Sequence, residues 1–435
     1  MAGGAGEGQC DKPRARERNL VRWPGRAVGA PTYHRRVPSQ PVYLDHAATT
    51  AVRPDVVAEV SAQLSTLGNA SSLHAQGRAV RRVVEESRER IATALDARPS
   101  EVVFTSGGTE SDNIAVLGAH RARRAADPAR DRVVVSTVEH HAVLDAVEQL
   151  VKREGAQVTW LEVDQTGRVD PATLADALAG GDVTVASVMW ANNEVGTVQP
   201  VAELVAAAHA AGVPLHTDAV QAVGQVPVSF ASSGVDLLSV TGHKLGGPVG
   251  VGALLARRDA TVEPLSYGGG QERQLRSGTL NAPGIAGLAL AVERAVAEQE
   301  QHARRLGALR DRLVAGALAL DLGITVSGAY APGDVTRRLP GNAHLVVPGC
   351  EGDSLLYLLD AAGVAASTGS ACTAGVPQPS HVLLAMGLPE QAARGALRLT
   401  LGHPSTEADV DRFLQVLPGA VERARKASSA SRGAS

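Results

Sequence analysis

Five short segments carry residue types that can do chemistry. In Val240-Thr241-Gly242-His243-Lys244-Leu245-Gly246-Gly247-Pro248 a lysine follows an apolar run. A lysine held at a strand end is partly desolvated, which disfavours its charged form and frees the amine for Schiff-base chemistry. The glycines around it let a planar ligand approach the backbone. An ordinary surface turn would use the same residues, and the Gly-x-Gly-x-x-Gly of a dinucleotide loop is missing. In Leu215-His216-Thr217-Asp218-Ala219-Val220-Gln221 an acid ends another apolar run. Burial there demands a positive partner, and the protonated ring nitrogen of a cofactor would serve. An aspartate capping the next helix is the plainer alternative. His216 with Asp218 also raises metal ligation, but no cluster with zinc spacing accompanies them, so no metal is expected.

Phe104-Thr105-Ser106-Gly107-Gly108-Thr109-Glu110-Ser111-Asp112-Asn113 passes from strand to helix. Its glycines and hydroxyl residues leave backbone N–H groups free at a helix start, which suits a phosphate without a lysine. Simple capping by Ser106 or Thr109 would look alike. Val138-Glu139-His140-His141 sets an imidazole after a further strand, where it can stack on an aromatic cofactor and shuttle protons near neutral pH, or merely cap or be solvated. Ser367-Thr368-Gly369-Ser370-Ala371-Cys372-Thr373-Ala374-Gly375 places Cys372 among small, flexible residues. A cysteine in such a loop is unlike a packed one, and its thiolate would be a strong nucleophile. A small buried hydrophobe is the competing reading. Cys350 and Cys10 have no comparable company.

Positioning these residues requires a scaffold, and alternating apolar runs and helical patterns supply one. Strands are expected over 101–105, 132–137, 157–163, 183–190, 214–218, 237–241 and 250–256, most of them β-branched and apolar at consecutive positions, as strands buried on both faces are. Helices are expected over 111–124, 142–154, 171–179 and 201–211. This alternation implies a largely parallel sheet covered by helices, with ligands gathered beyond the strands' carboxyl ends. A long Ala/Leu/Arg/Glu-rich helical pattern over 282–320 bridges to a smaller α+β unit. That unit has strands at 343–347, 364–367 and 396–401 and helices at 353–362 and 407–425.

The expected organisation is a disordered basic extension over 1–40, a large α/β domain over 41–285, the bridging helix and small domain over 286–425, and a disordered tail over 426–435. The extension carries Arg14, Arg16, Arg18, Arg22, Arg26, Arg35 and Arg36 and lacks the apolar core of a secretory signal. It reads as disorder or an upstream start codon rather than a functional arm. With 42 Lys+Arg against 45 Asp+Glu, no basic excess draws the molecule to nucleic acid or anionic lipid. No apolar stretch of about 18 residues offers a membrane span. Three cysteines in 435 residues exclude a disulfide scaffold and fit a reducing cytoplasm.

Taken in order, the segments resemble the cysteine desulfurases of the NifS/IscS type. The resemblance runs from Tyr43-Leu44-Asp45-His46-Ala47-Ala48-Thr49-Thr50 to about Pro404. It takes in Gly68-Asn69-Ala70-Ser71-Ser72 with His74, the Gly-Gly-Thr-Glu-Ser loop, Glu139-His140, Asn192-Asn193-Glu194-Val195-Gly196, the Asp218/Gln221 pair, His243-Lys244, Arg276-Ser277-Gly278-Thr279 and Ser370-Ala371-Cys372-Thr373. It implies the fold of the type I pyridoxal-phosphate enzymes and a homodimer that takes sulfur from L-cysteine and releases L-alanine.

By the same resemblance Lys244 is the Schiff-base lysine and Asp218 the partner of the pyridinium nitrogen. Gln221 and Asn193 lie near the phenolic oxygen, and His140 stacks on the ring. Gly108, Thr109, Thr241 and His243 form the phosphate cup, and Thr279 reaches the neighbouring subunit's phosphate. Arg398 with Asn193 binds substrate, and Cys372 accepts the sulfur as a persulfide. The stretch from Thr373 to Leu383 resembles the long-loop type, which delivers sulfur to an acceptor protein such as an iron–sulfur scaffold or a tRNA thiolase. The basic extension and His141 depart from the pattern. A selenocysteine lyase or another pyridoxal-phosphate lyase or aminotransferase of the same fold is the alternative, and a catalytically silent sulfur-relay subunit is a third reading.

Overall fold

The apolar runs that read as doubly buried strands form the middle layer of the molecule. The computed structural model describes residues 41–369 and 378–433; the extension over 1–40 and the segment carrying Cys372 lie outside the described residues. The strands are β1 (Val42–Tyr43), β2 (Val102–Thr105), β3 (Arg132–Ser136), β4 (Gln157–Leu161), β5 (Val183–Ser187), β6 (Leu215–Asp218), β7 (Leu237–Thr241), β8 (Gly252–Ala256), β9 (Thr325–Val326), β10 (Asn342–Val346), β11 (Val364–Ala365) and β12 (Ala396–Thr400). Seven make one sheet in the order β2-β8-β7-β6-β5-β3-β4. Its pairs β3/β4, β3/β5, β5/β6 and β6/β7 are parallel, as the β-α alternation predicts. The exception is β8, antiparallel to both β7 and β2. No long helix separates β7 from β8, so the chain turns straight back.

Side chains alternate between two apolar layers. Val102, Phe104 and Val134 join a core with Leu174, Leu204 and Leu288, whereas Val103, Val133 and Val135 join another with Ile114, Val143 and Leu150. Period-two alternation with both faces apolar makes each run hydrophobic throughout. The expected 282–320 helix is two helices, Ala282–Ala297 and Gln299–Leu318. They part at Glu298, whose carboxylate pairs with Arg53 at 2.8 Å. The break has a packing reason: Ile285, Leu288 and Val292 bury in the large core, but Leu306, Leu309 and Leu313 bury in a separate one with Leu345, Leu397 and Phe413.

That separate core underlies the smaller unit, in which β10 lies between antiparallel β12 and β9. Its last helix runs over Glu407–Gly433, past the expected end at Arg425, so much of the stretch taken as a disordered tail is helical. Its Ala/Ser-rich sequence carries good helix formers at 427 and 430. Two helices without an earlier counterpart, Pro54–Leu64 and Ala75–Ala94, cover the large sheet with Ala282–Ala297. Among the described residues no helix is long and apolar enough to cross a membrane.

Candidate active site

The parallel strands end on one side of the sheet, and the residues just past those ends enclose a cavity of about 430 Å³. It is lined by Gly108, Thr109, His140, Asn193, Asp218, Gln221, Thr241, His243, Lys244 and Arg398, ten of the residues the sequence singled out. Thr279 is exposed and does not line it, and Cys372 lies outside the described residues.

Lys244 follows β7, and its Nζ donates to the carbonyls of Ala47 and Ala48, the latter at 2.7 Å. Two carbonyls aim the amine but bring no counter-charge. Burial, and then the charge of Arg398, pull its pKa from 10.5 down to about 8, against the opposing pull of Asp218 and Asp45. A sizeable fraction of the amine is therefore neutral near physiological pH, as nucleophilic attack on a carbonyl requires.

Asp218 ends β6 with only 5% of its surface exposed. Its Oδ1 accepts the Val220 N–H at 2.8 Å. Burial first, then the nearby Asp112 carboxyl, raise its pKa from 3.8 to about 7, while His140 and His216 pull the other way. A carboxylate so placed gains most from a cation brought by a ligand. Gln221, one turn on, donates to the Ala47 carbonyl at 3.0 Å, fixing the strand end to the same backbone that orients Lys244.

At another end of the cavity the helical run from Gly108 to Ala126 begins after Gly107. Gly107 has φ +151°, and a Cβ there would stand 3.6 Å from Thr241 Oγ1, while one at Gly108 would meet Val220 Cγ2 at 2.8 Å. The turn beside the Thr109 and Thr241 hydroxyls therefore needs glycine twice, at 107 for its backbone conformation and at 108 for its close packing on Val220. Glu110 closes its outer side by pairing with Arg276 at 3.1 Å. His243 sits opposite, 3.3 Å from the Thr49 hydroxyl. Burial and then the Lys244 charge lower its pKa to about 4, so it is neutral and can donate a hydrogen bond.

His140 caps helix His141–Gln149 by accepting the Ala142 N–H at 3.1 Å, the capping alternative, and it also lines the cavity. Desolvation and then the Lys244 charge lower its pKa, against Asp218. The turn before it is fixed by Glu139, fully buried, which accepts from Ser136 Oγ at 2.6 Å and from the Met189 N–H at 2.7 Å. Burial raises Glu139 to about 8, so it is largely a neutral acid at pH 7.

Arg398 reaches the cavity from β12, in the smaller unit, and is 5% exposed. It donates to Asp45 Oδ1 at 2.8 Å and to the Asn193 carbonyl at 3.0 Å, and its buried Nε has no hydrogen-bond partner. A fork with donor capacity left over suits a carboxylate. Sequence reasoning gave Asp45 and Asp112 no role, although both stood in quoted segments; pairing across 353 residues leaves no local signal. His216, read as a possible metal ligand, instead bonds Ser187 Oγ at 2.9 Å and Ser239 Oγ at 3.0 Å. Among the described residues no group of three or more His, Cys, Asp or Glu could hold a metal ion.

The residues present therefore fit a ligand with an anionic end, a protonatable ring nitrogen and a carbonyl that condenses with an amine. The family profile described as Aminotransferase class-V matches residues 42–413. An IscS-like cysteine desulfurase of Mycobacterium tuberculosis is 58% identical over 394 residues, covering 90% of this chain and 99% of that protein. The cysteine desulfurase NifS of Azotobacter vinelandii is 44% identical, covering 89% of this chain and 94% of that protein. A solved NifS-like protein superposes with a TM-score of 0.78 at 35% identity, covering 88% of this chain and 99% of the other.

Proposed function

The chain belongs to the class V aminotransferase family and, within it, to the NifS/IscS-type cysteine desulfurases, and from that premise we propose how its residues turn L-cysteine into L-alanine and a protein-bound persulfide. The observation that carries the reading is the convergence of Lys244, Asp218 and Arg398 on one cavity. Pyridoxal 5'-phosphate is the cofactor these residues fit, and when bound it supplies a ring that accepts the electron pair released at the substrate's α-carbon. Lys244 tethers it through the neutral amine that its lowered pKa provides. Asp218 holds the ring-nitrogen proton. Gly108, Thr109, Thr241 and His243 bind the phosphate, and Gln221 and Asn193 bind the phenolic oxygen.

Substrate orientation falls to Arg398, whose guanidinium holds the cysteine carboxylate with the help of Asn193. Lys244, once its amine is free again, moves the α-proton, and His140, neutral and at the cavity wall, is the second group able to do so. Cys372 then attacks the substrate sulfur as a thiolate. A sulfur–sulfur bond forms, the substrate's carbon–sulfur bond breaks, and its electron pair stays with the carbon skeleton, which takes up a proton at Cβ and regains the α-proton to become alanine. The persulfide left on Cys372 passes to an acceptor protein, an iron–sulfur scaffold or a tRNA thiolase.

A homodimer completes each site in this reading, with Thr279 reaching the phosphate bound by the neighbouring subunit; its exposure outside the cavity of its own chain supports that role. The cytoplasm is the compartment that keeps such a thiol reduced. The test is alanine formation from L-cysteine by the wild type and by Cys372→Ser. The proposal expects rapid alanine release by the wild type and its loss in the variant. Equal alanine yield from both would place the chain with lyases that need no enzyme thiol.

A further inference from the structure

Beneath the cavity lies a buried layer of polar groups that the mechanism above does not use. Asp112, from helix Gly108–Asn113, is 1% exposed, and its Oδ1 has no hydrogen-bond partner. That oxygen lies 3.5 Å from His216 Nε2. His216 and Asp218 are two residues apart on β6, hence on one face of the strand. Asp112 and Asp218 both line the cavity. Building on the assignment of Asp218 to the ring nitrogen, we propose that Asp112 is a positioning residue whose carboxylate, set beside His216 and in the field of Asp218, strengthens the grip of Asp218 on a protonated ring nitrogen.

The charge balance of the layer supports this. His216 is enclosed between Ser187 and Ser239, and burial lowers its pKa to about 4, so it brings no positive charge. Glu139, whose charged form both Asp218 and Asp112 disfavour, is an acid held largely neutral. A protonated His140 would lower the pKa of Asp218, but burial lowers its own pKa and works against that charge. Lys244 is a neighbouring cation whose amine must be neutral to condense with a carbonyl. Asp112 thus raises the cost of ionising Asp218 in a layer of low dielectric, while its own pKa is raised to about 7 by burial against a hydrogen bond with Ser239 that favours the charged form. A single positive charge brought by a ligand relieves both. Uncharged groups at 112 would leave Asp218 to bear that proton alone.

The experiment compares the affinity of the apo-protein for pyridoxal phosphate with its affinity for the 1-deaza analogue, in which a C–H replaces the ring nitrogen. Wild type, Asp112→Asn and Asp218→Asn are measured, with Asp112→Ser in place of the first if that variant does not fold. A purely structural role would weaken both ligands equally and leave their ratio unchanged. The proposal expects the preference for the nitrogen-bearing ring to fall about tenfold in Asp112→Asn, the effect of one pKa unit, and to vanish in Asp218→Asn. An unchanged ratio in Asp112→Asn beside a clear wild-type preference overturns the proposal alone. A wild type with no preference overturns the Asp218 assignment and the proposal with it.

Discussion

Loading of the apo-protein with pyridoxal phosphate should follow the ionisation of Lys244. Burial and the Arg398 charge bring the amine from 10.5 to about 8. At pH 7 this leaves roughly a tenth of it neutral, against roughly 0.03% for an unperturbed lysine, a gain of about 300-fold. The sign is fixed: the neutral form reacts, so the rate climbs as pH rises toward 8 and levels off above it. Arg398→Gln removes a cation that favours the neutral amine, so its midpoint should lie higher and its loading at pH 7 should be slower. Stopped-flow absorbance of the lysine-bound cofactor reports the rate. Parallel measurement with N-acetyl-lysine cancels the ionisations of the reagent itself, and Lys244→Ala should show no such band. A protein whose rate relative to N-acetyl-lysine is flat across pH 6.5 to 9.5, or an Arg398→Gln midpoint below that of the wild type, would show that Lys244 ionisation does not govern loading.

Arg398→Lys keeps the charge but loses the fork, so KM for L-cysteine should rise about 10- to 100-fold, the equivalent of one charge-assisted hydrogen bond, with kcat much less affected; an unchanged KM in steady-state alanine assays would remove Arg398 from substrate binding. Relative to Glu139→Gln, the cofactor-free wild type should lose stability as pH rises from about 5 to 8, because Glu139, raised to about 8, keeps a proton in the folded state that the unfolded chain has already released. The comparison cancels the buried histidines and Lys244, whose lowered pKa values act in the opposite sense. A difference in melting temperature that stays constant across that window would contradict the assignment. Light scattering should find a dimer, and Thr279→Ala should weaken cofactor retention without dissociating it; a monomer of full activity would exclude the shared site.

The scaffold was legible because both faces of the large sheet are buried, which makes β3, β5 and β7 short continuous apolar runs. The carboxyl ends of β6, β7 and β2 then drew attention to Asp218, Lys244 and the Gly107–Thr109 turn. What stayed hidden depends on contacts distant in sequence. The break at Glu298 is invisible in a helical pattern that is unbroken locally, because it arises from two cores claiming successive stretches of helix. Helix Ala75–Ala94 carries charged residues through most of its length, and its buried Arg88 is held by Glu272 at 2.7 Å, a partner 184 residues away. The tethering of Arg398 by Asp45 joins the first strand region to the last in the same way. For Asp112 and Glu139, sequence showed the acids but not the enclosure that raises their pKa values.

The most direct test of sulfur transfer is where the sulfur goes. The wild-type protein, loaded with pyridoxal phosphate, is given a brief pulse of L-cysteine, quenched by alkylation and digested, and its cysteine peptides are weighed. One extra sulfur is expected on the peptide carrying Cys372, formed together with alanine. Alanine formed while the extra sulfur sits on Cys350, or on no cysteine at all, would contradict that expectation.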